Sequence, residues 1–213
     1  MLCLGMVSVL LALMIVGVFA FRRLRRQKVY LGYQFHFLIM ETENIEVGAF
    51  DAQLDGGAGA LLTFNDNSCV ALSVYFNEKV GREICQELQK TDKDYKIITL
   101  SVDNLEIRKG ALEIAYAFRT FYQCLSLLER EVFRLDKGAT QQSSKRVLSE
   151  IKAQFSFLAR SYVGTFPEYG NLCAQTAEGI EALIVNDVYV KDLRKVLCEA
   201  CYGYVRLSED FSL

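Results

Sequence analysis

Phe35, Phe37 and Ile39 alternate with His36, Leu38 and Met40, a period of two that predicts a strand. Asn44 is placed to cap a helix over 45–54 carrying Val47, Phe50 and Leu54 on one face. Asp55-Gly56-Gly57 ends it, because glycine supplies the left-handed stop. Residues 58–64 read as a second strand, Asn65-Asp66-Asn67 as a hairpin turn, and residues 69–75 as a third strand. Asn77 caps a helix over 78–90 with Val80, Ile84 and Leu88 in line, and residues 95–102 form a fourth strand. The order βαββαβ predicts a ferredoxin-like, four-stranded antiparallel sheet with two helices on one face.

From residue 110 to 208 the period becomes helical. Leu112, Ala115, Phe118, Phe121, Leu125, Leu128, Val132 and Leu135 mark one long helix, stopped by Lys137-Gly138. Val147, Ile151, Phe155, Leu158 and Tyr162 mark a second, capped by Ser143 or Ser144. Phe166 to Gly170 reads as a connection. Leu172, Thr176, Ile180, Leu183 and Ile184 mark a third helix, and Val190, Leu193, Leu197, Cys201, Tyr204 and Leu207 a fourth. Each stripe must bury a face, so an antiparallel bundle is the economical packing.

Ahead of these patterns stand twenty residues without a charged side chain, MLCLGMVSVLLALMIVGVFA. At about 1.5 Å per residue they span roughly 30 Å, the thickness of a bilayer's hydrocarbon core, which predicts a single-pass anchor over 1–21. A basic juxtamembrane segment over 22–32 follows, with Arg22, Arg23, Arg25, Arg26 and Lys28. The expected plan is thus an anchor (1–21), that segment (22–32), an α+β domain (33–108) and a helical bundle (109–213). The positive-inside rule assigns everything after the anchor to the cytoplasm.

The 213 residues carry 24 basic and 26 acidic side chains, a net charge of −2. Without the five basic residues of the juxtamembrane segment the balance is 19 to 26, which disfavours a nucleic-acid partner. The single histidine, His36, excludes a multi-histidine metal site. Gly56-Gly57-Ala58-Gly59 lacks the Lys-Ser/Thr of a phosphate loop and follows a helix, so it reads as a turn. Cys198 and Cys201 form a CxxC that lies deep in a helix and lacks two further ligands, which points to core packing. Glu129, Glu131, Glu150, Asp187 and Glu209 include no catalytic pair. Tyr116, Phe118, Phe121 and Tyr122 read as bundle core. No catalytic signature, metal site or cofactor motif emerges, and the expectation is a protein that is not an enzyme.

One stretch carries a family resemblance. FHFLIMETEN, then VGAFDAQLDGGAGALLTF, then CVALSVYFNEKVGREICQELQKTDKDYKIITL together resemble the SPOR domain, over about 70 of the 213 residues. SPOR domains are small peptidoglycan-binding modules of bacterial division and sporulation proteins. Two positions depart from the family pattern: Leu38 or Ile39 stands where the family often has Gln, and Ser73-Val74 replaces a Gly before the second aromatic. The resemblance implies a cell-envelope protein that binds peptidoglycan glycan strands or scaffolds division or sporulation proteins, and it favours an extracytoplasmic location. The basic residues beside the anchor favour instead a cytoplasm-facing protein–protein adaptor that has lost glycan binding.

A sheet with helices on one side leaves the other open unless the bundle covers it. Phe35, Phe37 and Ile39, the more apolar set, are expected to face the two helices together with Val70, Leu72 and Val74. That leaves His36, Leu38, Ala71 and Ser73 on the open side. His36 and Ser73 would then supply polar contacts to a sugar, and Tyr75 an aromatic platform.

Overall fold

The computed structural model describes residues 26–64, 67–90, 93–108 and 112–211. Four strands, β1 (Arg26–Met40), β2 (Ala60–Phe64), β3 (Asn67–Tyr75) and β4 (Tyr95–Arg108), form one antiparallel sheet in the order β2-β3-β1-β4. Two helices interrupt them, α1 (Ile45–Leu54) and α2 (Glu78–Leu88). The expected caps close both: the Asn44 side chain accepts from the Val47 amide at 3.2 Å, and Asn77 from the Lys79 amide at 3.0 Å. Gly59, at φ +59°, follows α1; a β-carbon there would stand 2.6 Å from the Ala49 carbonyl oxygen, so only glycine lets β2 start so close to the helix.

Four longer helices follow: α3 (Leu112–Asp136), α4 (Gln141–Tyr162), α5 (Pro167–Val185) and α6 (Val190–Glu209). They pack as a closed bundle, each against its chain neighbour and α6 back against α3. Thr140, not Ser143 or Ser144, caps α4, accepting from the Ser143 amide at 3.3 Å. The expected connection at 166–170 is mostly helix, because Pro167 occupies the first turn of α5, where its missing N–H costs nothing.

The bundle is not a separate unit. α6 lies on β2, β3 and β4, and α3 on β4. Phe35 and Phe37 of the sheet share one core with Phe118, Phe121, Leu125 and Tyr204 of the bundle. Tyr33 stacks on Tyr122 with ring centroids 3.7 Å apart, and Phe35 meets Tyr204 edge-on at 5.7 Å. Both buried bundle phenols are satisfied, Tyr169 donating to the Ala117 carbonyl at 2.8 Å and Tyr204 to that of Phe118 at 3.1 Å. The sheet is therefore the middle layer of three, with α1 and α2 on one face and the bundle on the other, and the expected open face does not exist.

The facing of the strands is also corrected. Phe35, Phe37 and Ile39 point to the bundle with Ala71 and Val74, while Leu38 and Met40 join Val70, Leu72 and Tyr75 under α1 and α2. A bulge produces this split: Leu38 pairs with Ser73 but Ile39 with Ala71, so Leu72 is the extra residue and Val70 and Val74 fall on opposite faces.

The N-terminal expectations change as well. Residues 1–21, where the anchor was expected, lie outside the described residues, and among the described residues no helix is long and apolar enough to cross a membrane. This corrects the transmembrane helix in the fold class and, with it, the single-pass membrane localisation. Part of the juxtamembrane segment is strand: Arg26 to Tyr30 pair with Arg108 to Asn104, and Arg26 and Lys28 reach Glu106 at 3.9 and 3.4 Å. Arg26 and Lys28 thus answer an acidic partner across the sheet.

Candidate functional site

His36, Ser73 and Tyr75 are all buried, at 2%, 3% and 5% exposure, on the α1/α2 side of the sheet. His36 pairs with Tyr75 across β1 and β3, yet its ring is occupied elsewhere. Its Nδ1 lies 2.9 Å from the Thr99 hydroxyl. Burial holds its pKa below the ordinary value, against the nearby Glu78 carboxylate and with the help of Arg82.

Ser73 and Tyr75 do meet in a cleft. It opens between the C-terminal end of α1 and α2, with a volume of about 510 Å³. Leu38 and Leu72 of the sheet form its apolar floor, and Ile84 and Leu88 of α2 one wall. Tyr95 and Gly57 complete the sides. The leucine-and-isoleucine face of α2 exists because those side chains recur at helical spacing, and Gly57 is small because a β-carbon there would crowd the Ala52 carbonyl at 3.0 Å.

Charged groups stand around this floor. Lys93 donates to Asp55 at 2.6 Å; that bond holds the ammonium pKa above its ordinary value. Arg194, from α6, reaches the same cleft from the far layer. It donates to the Gly56 carbonyl at 2.7 Å and to Asp136 at 2.5 Å. Burial pushes the Tyr75 phenol up, while a hydrogen bond with Ser73 and the charge of Arg194 act the other way. Tyr75 also leans on the Phe133 ring, 6.3 Å between centroids.

The cleft thus offers a hydroxyl, a phenol, the Lys93–Asp55 pair and the Arg194 guanidinium over an apolar floor. Carboxylates and guanidinium groups held in place by partners are suited to hydrogen-bonding several hydroxyls at once, and the floor suits the apolar face of a ring. Asp55 is the one carboxylate among the described lining residues, and it is ion-paired, so no acid/base couple faces the space. A slightly larger hollow, about 530 Å³, lies on the bundle side, where Tyr202 and Arg206 of α6 meet Asn67, Ser68 and Lys96. None of His36, Ser73 and Tyr75 lines it.

The cysteines carry no such chemistry. Cys198 and Cys201 are fully buried, and burial pushes both thiols far up, away from the thiolate a metal or a redox reaction needs. Among the described residues no group of histidine, cysteine and carboxylate side chains is arranged to hold a metal ion. Phe118 and Phe121 are core as expected, whereas Tyr116 is exposed.

Asp55, Lys93 and Arg194 were not singled out by the sequence. Asp55 reads as part of a turn, and Lys93 stands in a run of charged residues between α2 and β4 that marks no single one of them. Arg194 did leave a signal: it heads the row Arg194, Cys198, Cys201, Val205, whose other members are all buried. An arginine on a buried row needs an acceptor, and here that acceptor is the end of α1.

No family model, no curated protein and no solved structure matches the chain.

Proposed function

We propose that this is a non-enzymatic cell-envelope module that binds peptidoglycan glycan strands in the cleft between α1 and α2. The reading rests on one observation: Ser73 and Tyr75 meet Asp55, Lys93 and Arg194 around an apolar floor, the combination that sugar recognition needs. The SPOR-like order of strands and helices supports the ligand class. The binding place differs from the open sheet face expected from the order of strands and helices, because the bundle occupies that face. A second reading, a protein–protein adaptor that has lost glycan binding, draws support from that same covered face.

Co-sedimentation of the full chain with purified peptidoglycan, with and without stem peptides, tests the proposal. Retention on both forms is expected, falling at least tenfold in a Ser73→Ala/Tyr75→Phe/Lys93→Ala variant and holding in His36→Gln. Retention that ignores the triple substitution overturns the cleft as the site. No retention of the unmodified chain overturns glycan binding and leaves the adaptor.

A further inference from the structure

α1 is apolar on both sides. It rests on the sheet through small residues, Gly48 and Ala52, both buried. Ile45, in the first turn, packs against the same core, but the large apolar side chains after it point the other way: Val47, Phe50 and Leu54 are 54%, 62% and 69% exposed. At about 100° per residue these three fall within roughly 60° of one another, opposite Gly48 and Ala52. Leu61 of β2, 54% exposed, extends the patch. It pairs with Val70, which packs under α1 and α2, so Leu61 faces the same side. β2 is an edge strand, so the patch continues to the rim of the sheet.

An outward stripe of this kind is the reverse of an ordinary surface helix, which buries its large apolar residues and exposes polar ones. The charges that α1 and its flanking residues themselves carry are of one sign. Between Glu41 and Asp55 the chain has five carboxylates and no basic residue. Two are neutralised, Glu41 by Lys96 and Asp55 by Lys93. Glu43, Glu46 and Asp51 make no close ion pair among the described residues, although the Lys93 ammonium, held by Asp55, also feels the charge of Asp51. Glu46 and Asp51 fall on either flank of the stripe, about 70° from its middle.

We propose that Val47, Phe50, Leu54 and Leu61 form a docking surface for a cationic amphipathic helix of another protein. The apolar face of such a helix covers the stripe, and its lysines or arginines meet Glu46 and Asp51. A second copy of this chain is the wrong partner by charge, since like carboxylates would meet across the junction. The proposal is independent of glycan binding in the cleft, because neither Val47, Phe50 nor Leu61 lines that cleft.

The test uses the full chain and two fluorescein-labelled 14-residue helical peptides, one of leucine and lysine and one of leucine and glutamate, followed by anisotropy. The Leu/Lys peptide is expected to bind, and to weaken with rising salt. Phe50→Ser/Leu54→Ser is expected to weaken it at least tenfold with an unchanged circular dichroism spectrum. Glu46→Lys/Asp51→Lys is expected to weaken it similarly and to admit the Leu/Glu peptide, a reversal that a folding defect would not produce. Equal binding of both peptides to the unmodified chain, or Leu/Lys binding indifferent to either pair of substitutions, overturns the proposal. So does a dimer in sedimentation equilibrium that Phe50→Ser/Leu54→Ser converts to monomer, since the stripe would then be covered by a second copy.

Discussion

Arg194 of α6 donates to the carbonyl oxygen of Gly56, 2.7 Å away and 138 positions earlier in the chain. One guanidinium thereby joins the last helix of the bundle to the turn that ends α1, passing from one layer of the molecule to another. The same side chain holds Asp136 at the end of α3. Three elements that are distant in sequence are fixed at one point.

Arg194→Ala is expected to lower stability by about 1–2 kcal/mol, because the Gly56 carbonyl and Asp136 lose a shared partner. Arg194→Lys should recover only part of this, since an ammonium cannot reproduce the planar fork. Urea unfolding of the three proteins checks the order. An alanine variant as stable as the parent would show that water serves both acceptors equally well.

Cys198→Ala/Cys201→Ala is expected to cost about 1–3 kcal/mol through lost packing, with metal content unchanged. Both side chains are buried among apolar neighbours, so the loss is one of contact and not of ligation. Chemical denaturation gives the first quantity and elemental analysis the second. Stoichiometric zinc in the parent that disappears from the variant would contradict the packing role.

These first two predictions divide along what was legible in the chain. The strand and helix order was readable, because Phe35-Phe37-Ile39 and the stripes of the long helices carry periods of two and near 3.6. The facing of the sheet was not. It depends on the bulge at Leu72, which has no proline or glycine to announce it, and on a sheet that has two apolar sides. Ser73, chosen by alternation, and Tyr75, chosen for its place at the strand end, were expected on an open face and lie instead on the side covered by α1 and α2, whereas Arg194 enters the cleft by tertiary packing that local pattern does not encode. His36 was selected for its chemistry and proves to be held under α2 beside Thr99.

His36 gives a pH dependence of known sign. Burial lowers its folded-state pKa, so the native form binds fewer protons than the unfolded chain. Its contribution is present above the unfolded value, near 6.5, and is lost as pH falls through the folded one. Stability measured from pH 7.5 to 5 should therefore decline more steeply in the parent than in His36→Gln. Parallel curves would mean that the ring protonates without cost, and that the space around Thr99 admits water.

Glu129 gives the opposite slope. It accepts a hydrogen bond from the Phe76 amide at 2.8 Å. Burial raises its folded-state pKa above the ordinary carboxylate value, while that amide and Arg130 act to lower it. The native form therefore binds the proton more tightly than the unfolded chain. The stability that protonation confers is fully present below the unfolded pKa and is lost as pH rises through the folded one. Glu129→Gln retains a carbonyl oxygen for the Phe76 amide and removes the buried charge. At pH 7 the variant should be more stable than the parent, since the parent then holds a charge that burial disfavours. The gap should close as pH falls below the ordinary carboxylate range, where the parent's Glu129 is neutral too. Paired thermal melts at pH 4 and pH 7 decide it: a variant less stable than the parent at pH 7 would mean that the ionised carboxylate gains more from the Phe76 amide than burial costs it.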